Sequence, residues 1–125
     1  MPDQTLRDRR ILVVEDEYML SEDVRELLEA GGAIVVGPVG KLDAAMALLQ
    51  GVTLIDGAVL DINLQGEMVF PLADLLRERG VPFLFATGYD ADAIPPRFSQ
   101  VKRCEKPLNA EQVRKALAAL LKIDA

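Results

Sequence analysis

Short apolar runs alternate along the chain with longer segments in which apolar residues recur every three or four positions. The runs predict β-strands, and because they are apolar throughout they are typical of strands buried on both faces. Five such strands are expected, at 11–14, 33–36, 58–61, 82–87 and 101–105. The longer segments between them predict amphipathic helices. A series of strands separated by helices predicts an α/β domain, with a parallel sheet between two layers of helices.

Glycine and proline mark the predicted boundaries of these elements. Gly31-Gly32 should end the first helix, and Gly37-Pro38 should close the second strand. Because proline is tolerated only in the first turn of a helix, the helix that contains Pro71 should begin no earlier than about Met68. Residues 88–96 are interrupted by glycine and proline, which predicts a short or irregular helix there. The fifth strand is more polar than the others, as an edge strand can be.

The amino-acid composition excludes several classes of protein. A chain of 125 residues, half of them hydrophobic, fits one compact domain with its own core. It has no histidine and one cysteine, Cys104, which excludes an internal disulfide, the common zinc clusters and histidine-dependent hydrolases. A net charge of −6 leaves no basic surface for nucleic acid or anionic lipid, so we expect neither as a partner. The polar N-terminus and the lack of a membrane-spanning apolar run favour a cytoplasmic protein.

Ionisable and hydroxyl side chains stand at the ends of four predicted strands. They are Glu15 and Asp16 after the first strand, Asp61 at the end of the third, Thr87 at the end of the fourth and Lys106 after the fifth. Because ligands of open parallel sheets bind beyond the carboxyl ends of the strands, we expect these side chains to meet at one rim. The three carboxylates would repel one another there, and a hard divalent cation such as Mg²⁺ would relieve that repulsion.

Asp61 stands at the centre of this group and can attack a phosphoryl group, because acyl phosphates form from ionised carboxylates without a general base. Mg²⁺, the hydroxyl of Thr87 and the ammonium of Lys106 would neutralise the phosphoryl oxygens in the transition state. Each residue taken alone also has an ordinary structural interpretation. Acids favour the first turn of a helix, threonine favours strands and lysine is common in exposed turns. The chemical interpretation therefore depends on the joint placement.

Four segments of the chain resemble the signature segments of response-regulator receiver domains. They lie at 11–17, 59–64, 86–87 and 106–107, and the similarity extends from about Arg10 to Ile123. The segment Pro-Phe-Leu-Phe-Ala-Thr-Gly-Tyr at 82–89 is similar to that of a subgroup nicknamed FAT GUY, found largely in alphaproteobacteria. The resemblance implies a receiver domain over residues 10–124, after an N-terminal tail of residues 1–9. It also implies a flavodoxin-like (βα)5 fold, a doubly wound parallel sheet of five strands in the order 2-1-3-4-5.

The same resemblance implies a switch in phosphorelay signalling. Asp61 would accept a phosphoryl group from a histidine kinase or a histidine phosphotransfer protein. Asp16, Asp61 and the backbone carbonyl of Asn63 would bind Mg²⁺, with Glu15 reaching the ion through water. Such a protein is not an enzyme in the ordinary sense, since it catalyses only its own phosphorylation and dephosphorylation. Because no effector domain follows the last helix, we expect a single receiver domain, a monomer or weak dimer, that acts through protein contacts.

The resemblance also implies roles for the last two strand ends. Thr87 would move toward the phosphoryl group, Lys106 would bind one of its oxygens, and the Lys106-Pro107 peptide bond would be cis. Two residues depart from the family pattern at this rim. Glu15 stands where aspartate is commoner, and Gly88 follows the threonine where alanine is more usual, so a looser loop is expected there.

Arg103 is the departure with the largest consequence, because it occupies the position where the family carries a switch aromatic. The usual coupling of threonine movement to a buried ring is therefore not expected. We hypothesise instead that activation reorders residues 89–98. Tyr89 and Asn63 each fall two positions beyond a key residue, and we expect them to modulate the lifetime of the phosphoryl group by steering the attacking water.

Three other functions remain open at this point. A magnesium-dependent phosphatase with an aspartate nucleophile would need an Asp-x-Asp pair at the first strand, whereas this chain has Glu15-Asp16-Glu17 there. A flavin or nucleotide site would need a glycine-rich loop after the first strand, which is acidic here. A pseudo-receiver that binds partners without phosphate is disfavoured by the complete set of Asp61, Thr87 and Lys106.

Overall fold

The structure is a computed structural model that describes residues 5–51, 54–88 and 91–123. Seven strands occur among these residues: β1 (Arg10–Val14), β2 (Ile34–Val39), β3 (Gly57–Asp61), β4 (Asn63–Leu64), β5 (Glu67–Met68), β6 (Phe83–Thr87) and β7 (Arg103–Glu105). Four α-helices lie between or after them: α1 (Tyr18–Ala30), α2 (Leu42–Gly51), α3 (Phe70–Glu78) and α4 (Ala110–Leu120). Short 3₁₀ turns at Ala91–Ala93 and Pro96–Phe98 confirm the irregular segment that was predicted before the last strand.

Five of the strands form one parallel sheet in the order β2-β1-β3-β6-β7. Counting only the strands of this sheet, the order is 2-1-3-4-5, which confirms the flavodoxin-like fold. The order in which strands are added to the sheet reverses between the neighbouring parallel strands β1 and β3, where Val14 pairs with Leu60. The carboxyl ends of these two strands are therefore neighbours at the point where open α/β sheets bind ligands.

Side chains of the central strands alternate between two hydrophobic clusters, one on each face of the sheet. Ile11 and Val13 of β1 belong to the cluster that α1 and α4 cover, whereas Leu12 and Val14 belong to the cluster that α2 and α3 cover. All four side chains are buried. This alternation confirms the prediction that the apolar runs are strands buried on both faces.

The helix boundaries follow from local capping. The Glu17 carboxylate accepts a hydrogen bond from Leu20 N at 3.2 Å and caps α1, and the Asn109 side chain caps α4 in the same way at 3.0 Å. Pro71 lies in the first turn of α3, as predicted. No helix among the described residues has both the length and the apolar character needed to cross a bilayer.

The second strand was predicted to close at Gly37-Pro38, and this prediction was wrong. β2 continues to Val39 through a cis Gly37-Pro38 bond, and its register with β1 shifts between Leu12 and Val14. Proline is compatible with an edge strand, because the N–H that it lacks would face outward. Gly37 adopts φ +97°, and a Cβ there would lie 2.9 Å from the Val13 carbonyl oxygen. Glycine is therefore required by both conformation and space.

Two further features were not predicted. The strands β4 and β5 form an antiparallel hairpin between β3 and α3. Leu6, within the segment predicted as an N-terminal tail, is fully buried, and its N–H donates to the Gly31 carbonyl at 2.9 Å. The last strand also begins at Arg103 rather than at residue 101.

Candidate functional site

The predicted site residues converge at the carboxyl edge of the sheet. Glu15 and Asp16 follow β1, Asp61 and Thr87 are the last residues of β3 and β6, and Lys106 follows β7. Parallel pairing aligns these ends, since Asp61 lies opposite Ala86 and Thr87 lies opposite Glu105. The sheet thus brings together side chains that are far apart in the sequence.

Three carboxylates form the acidic part of the site. One oxygen each from Glu15, Asp16 and Asp61 can be chosen so that all three lie within 4.8 Å of one another. Glu15 and Asp61 are almost fully buried, with exposed fractions of 5% and 4%. A glycine in the loop after β2 allows this arrangement, because a Cβ on Gly40 would lie 3.2 Å from Asp16 Cα.

Lys106 supplies the positive charge. Its Nζ lies 3.3 Å from Glu15 Oε2 and 3.3 Å from Asp61 Oδ2, so it bridges the two buried carboxylates. The Lys106 N–H donates to the Thr87 carbonyl at 2.7 Å, which fixes the start of the loop after β7. The Lys106-Pro107 peptide bond is cis, as the resemblance implied.

Thr87 places a hydroxyl at the same edge. Its side chain is 1% exposed, and its Oγ1 has no hydrogen-bond partner among the described residues. Buried polar atoms are normally paired, so the hydroxyl of Thr87 is an exception that has a hydrogen bond available for a bound group. Thr87, Lys106 and Pro107 line an open depression of about 630 Å³, together with Leu20.

Burial and mutual repulsion shift the ionisation of the acidic groups. Burial, with the negative charge of Glu15 as the next cause, raises the pKa of Asp61 to about 7, although Lys106 opposes the shift. Burial also raises the pKa of Glu15, against the lowering effects of a hydrogen bond from Glu17 N–H and of Lys106. Burial opposes the charged form of Lys106, but the fields of the two carboxylates outweigh it and raise the pKa of the amine.

These properties fit a divalent metal. Burying charged carboxylates together is unfavourable unless a cation compensates, and Lys106 contributes only one positive charge for three acids. An all-oxygen donor set matches the preference of Mg²⁺. Glu15, Asp16 and Asp61 are therefore suited to hold such an ion, and the Asn63 backbone lies beside them, since its N–H donates to Asp61 Oδ1 at 3.4 Å.

The remaining predicted residues lie around this centre or outside the described chain. Asn63 is exposed and belongs to β4. Arg103 is exposed on β7, opposite Phe85, so the site lacks a ring at that position. Tyr89 lies outside the described residues. Cys104 is 2% exposed and lies in the hydrophobic core.

Glu17 and Gly40 were not predicted to belong to the site. The Glu17 N–H donates to Glu15 Oε1 at 3.1 Å and holds that side chain in place. Glu17 also caps α1. Part of the acidic run after β1 therefore stabilises the start of a helix, the ordinary structural interpretation of such acids. The only sequence signal for Gly40 was a glycine in the loop after a strand.

Solved structures with the same fold were found by comparison. SdrG from Sphingomonas melonis Fr1 is 39% identical, with 91% of this chain and 97% of that chain covered and a TM-score of 0.81. The BeF3-activated conformation of SdrG from Pseudomonas melonis Fr1 is 38% identical, with coverage of 97% and 99% and a TM-score of 0.75. A response regulator receiver protein from Sinorhizobium medicae WSM419 is 26% identical, with coverage of 94% and 97% and a TM-score of 0.79. No protein-family model and no curated protein matched the chain.

Proposed function

The chain belongs to the response-regulator receiver family, and on that premise we propose that Asp61 is the phosphoacceptor of a phosphorelay switch. The phosphoryl donor would be a phosphohistidine on a histidine kinase or a histidine phosphotransfer protein. One observation carries this proposal. Asp61 is a buried carboxylate 3.3 Å from the Lys106 ammonium, at an edge where the buried hydroxyl of Thr87 is unpaired.

The proposed reaction transfers a phosphoryl group from an imidazole nitrogen of the donor to a carboxylate oxygen of Asp61. An oxygen of the ionised Asp61 carboxylate attacks phosphorus, and a P–O bond forms as the P–N bond of the phosphohistidine breaks. The bonding pair of the P–N bond stays on the imidazole nitrogen of the donor. The ionised carboxylate is already a nucleophile, so no histidine or other general base is needed on this chain.

The residues around Asp61 would stabilise the transferred group. The Lys106 ammonium, which already contacts Asp61 Oδ2, would pair with a phosphoryl oxygen. The Thr87 hydroxyl would donate a hydrogen bond to another phosphoryl oxygen and so gain the partner that it lacks. Asp16, Asp61 and the Asn63 carbonyl would hold Mg²⁺, with Glu15 reaching it through water. The ion would supply further positive charge beside the phosphoryl oxygens.

We further propose that the chain is a receiver of the FAT GUY subgroup whose output is a change in a protein-binding surface. Phosphorylation adds about −1.5 to −2 charge at neutral pH. Because Arg103 replaces the switch aromatic, the change would pass through residues 89–98. The similar structure of SdrG in its BeF3-activated conformation supports a response of this fold to a phosphoryl-like group.

The proposal is tested by incubating the protein with acetyl phosphate and Mg²⁺ and measuring its intact mass. We expect the parent protein to gain one phosphoryl group and Asp61→Asn to gain none. Asp23→Asn, an equal change of charge on the exposed face of α1, is the matched control and should be phosphorylated like the parent. Equal phosphorylation of Asp61→Asn would refute the assignment. A parent that takes no phosphoryl group, even from a cognate kinase, would indicate a pseudo-receiver.

A further inference from the structure

The chain between β3, the strand that ends in Asp61, and α3 forms a hairpin with a two-residue turn. Asn63 pairs with Met68 and Leu64 pairs with Glu67 across β4 and β5. The turn residues Gln65 and Gly66 have φ of 55° and 94°, and positive φ at both positions is typical of a type I′ turn. Such a turn reverses the chain immediately after Asp61.

The hairpin packs against the hydrophobic core through Leu64 and the half-buried Met68. Leu64 is its one buried side chain, while Asn63, Gln65 and Glu67 are exposed. Gln65 also holds a left-handed conformation that is unfavourable for a residue other than glycine. Two paired residues on each strand are too few to be stable alone, so the hairpin depends on its packing against the core and on further hydrogen bonds, one of which runs from Val69 N–H to the Ile62 carbonyl at 2.9 Å.

Asn63 makes two hydrogen bonds, one with the turn of the hairpin and one with Asp61. Its side-chain Oδ1 accepts a hydrogen bond from Gly66 N–H at 2.7 Å, which ties strand β4 to the turn. Its backbone N–H donates to Asp61 Oδ1 at 3.4 Å. The same residue therefore connects the turn geometry to the carboxylate that the proposed function makes the nucleophile.

We propose that Asn63 is a positioning residue whose side chain locks the hairpin and thereby holds its own backbone beside Asp61. The locked backbone orients two groups of Asn63, the N–H that contacts Asp61 Oδ1 and the carbonyl assigned to Mg²⁺. This inference rests on the proposed function, because it concerns the metal site of the same centre. It differs from the expectation that the Asn63 amide steers water, since the amide oxygen already accepts from Gly66.

The test is an Mg²⁺ titration of isotope-labelled protein followed by backbone amide resonances, with no phosphoryl donor present. Asn63→Ala removes the side-chain acceptor, and we expect the Mg²⁺ dissociation constant to rise about 10-fold, the lower end of the loss typical of residues that orient metal ligands. Hydrogen exchange at the Gly66 amide should become faster in the same variant. Asn63→Asp keeps an acceptor oxygen in the same place and should restore the protection of that amide.

Asn109→Ala is the matched control, because Asn109 makes the same kind of side-chain hydrogen bond to Gln112 N–H at the start of α4. It should lower stability slightly and leave the Mg²⁺ affinity unchanged. An unchanged Mg²⁺ affinity in Asn63→Ala, with only the lifetime of the phosphorylated protein altered, would overturn the inference in favour of water steering. A parent that neither binds Mg²⁺ nor accepts a phosphoryl group would instead refute the proposed function itself.

Discussion

Replacing Asp61 with asparagine removes a buried negative charge, and we expect the metal-free protein to become more stable at pH 8. Asp61 is 4% exposed and shares its surroundings with the buried Glu15. Burial and the charge of Glu15 raise the pKa of Asp61 from 3.8 to about 7. The folded protein therefore disfavours the charged form of this side chain.

The size of the effect follows from the pKa. At about 1.4 kcal/mol for each pKa unit, a rise from 3.8 to about 7 corresponds to about 4 kcal/mol against the charged carboxylate. The amide NH₂ of asparagine needs a hydrogen-bond acceptor, whereas the ionised carboxylate needed none. This requirement reduces the gain in stability. We therefore expect the free energy of unfolding of Asp61→Asn to exceed that of the parent by about 1–3 kcal/mol at pH 8.

The pH dependence of this gain is part of the prediction. The folded protein binds the Asp61 proton more tightly than the unfolded chain, so the contribution of Asp61 to the stability of the parent falls as pH rises from about 4 to about 7. Asp61→Asn lacks this loss, and its advantage should be near zero at about pH 4 and level off above about pH 7. Saturating Mg²⁺ should shrink or reverse the advantage, because the ion binds the parent and stabilises its folded state.

Urea unfolding in EDTA at several pH values, repeated with Mg²⁺, measures these quantities. Asp23→Asn on the exposed face of α1 is the control, and its stability should stay within about 0.5 kcal/mol of the parent. A lower stability of Asp61→Asn than of the parent at pH 8 without metal would contradict this expectation. So would a gain in stability that did not change with pH.

Two other substitutions test separate parts of the structure. Thr87→Val replaces a buried, unpaired hydroxyl with a methyl group of similar size. Urea unfolding should show equal or greater stability, by up to about 1 kcal/mol, while phosphorylation by acetyl phosphate slows about 10-fold or more; an unchanged rate would argue against a role in catalysis. Arg97 pairs with Asp74 of α3 at 2.9 Å and stacks on the Phe98 ring, so it ties residues 91–98 to α3. Arg97→Gln should change the stability little, because the pair is exposed. Amide exchange across residues 91–98 should nevertheless become faster, and unaltered exchange would show that the pair does not restrain this segment.

The site could be predicted from the sequence because a parallel sheet aligns the carboxyl ends of its strands. Once Asp61, Thr87 and Lys106 were placed at the ends of predicted strands, the fold itself required them to meet at one edge. The proximity of Glu15 and Lys106 followed from the same rule. The pairing of Lys106 with both buried acids, and the ionisation that results, could not be predicted, since they depend on side-chain burial.

The features that the sequence did not predict depend on local contacts, which the pattern of apolar and polar residues does not show. Gly37-Pro38 normally breaks a strand, but β2 lies at the sheet edge, where proline is tolerated, and the approach of Val13 requires the glycine. The hairpin of β4 and β5 has strands too short to show an alternating pattern. Leu6 is a lone apolar residue in a polar segment, and its burial is decided by the end of α1 at Gly31.

Reductive trapping of the phosphorylated protein identifies the residue that carries the acyl phosphate. Borohydride converts an aspartyl phosphate to homoserine, and peptide mass mapping then identifies the position that carried the acyl phosphate. We expect homoserine at position 61 after treatment with acetyl phosphate and Mg²⁺, no homoserine at Asp16, and no 5-hydroxynorvaline, the product that a glutamyl phosphate would give, at Glu15. Conversion at either neighbour, or a phosphorylated protein that yields no homoserine, would contradict the assignment of Asp61.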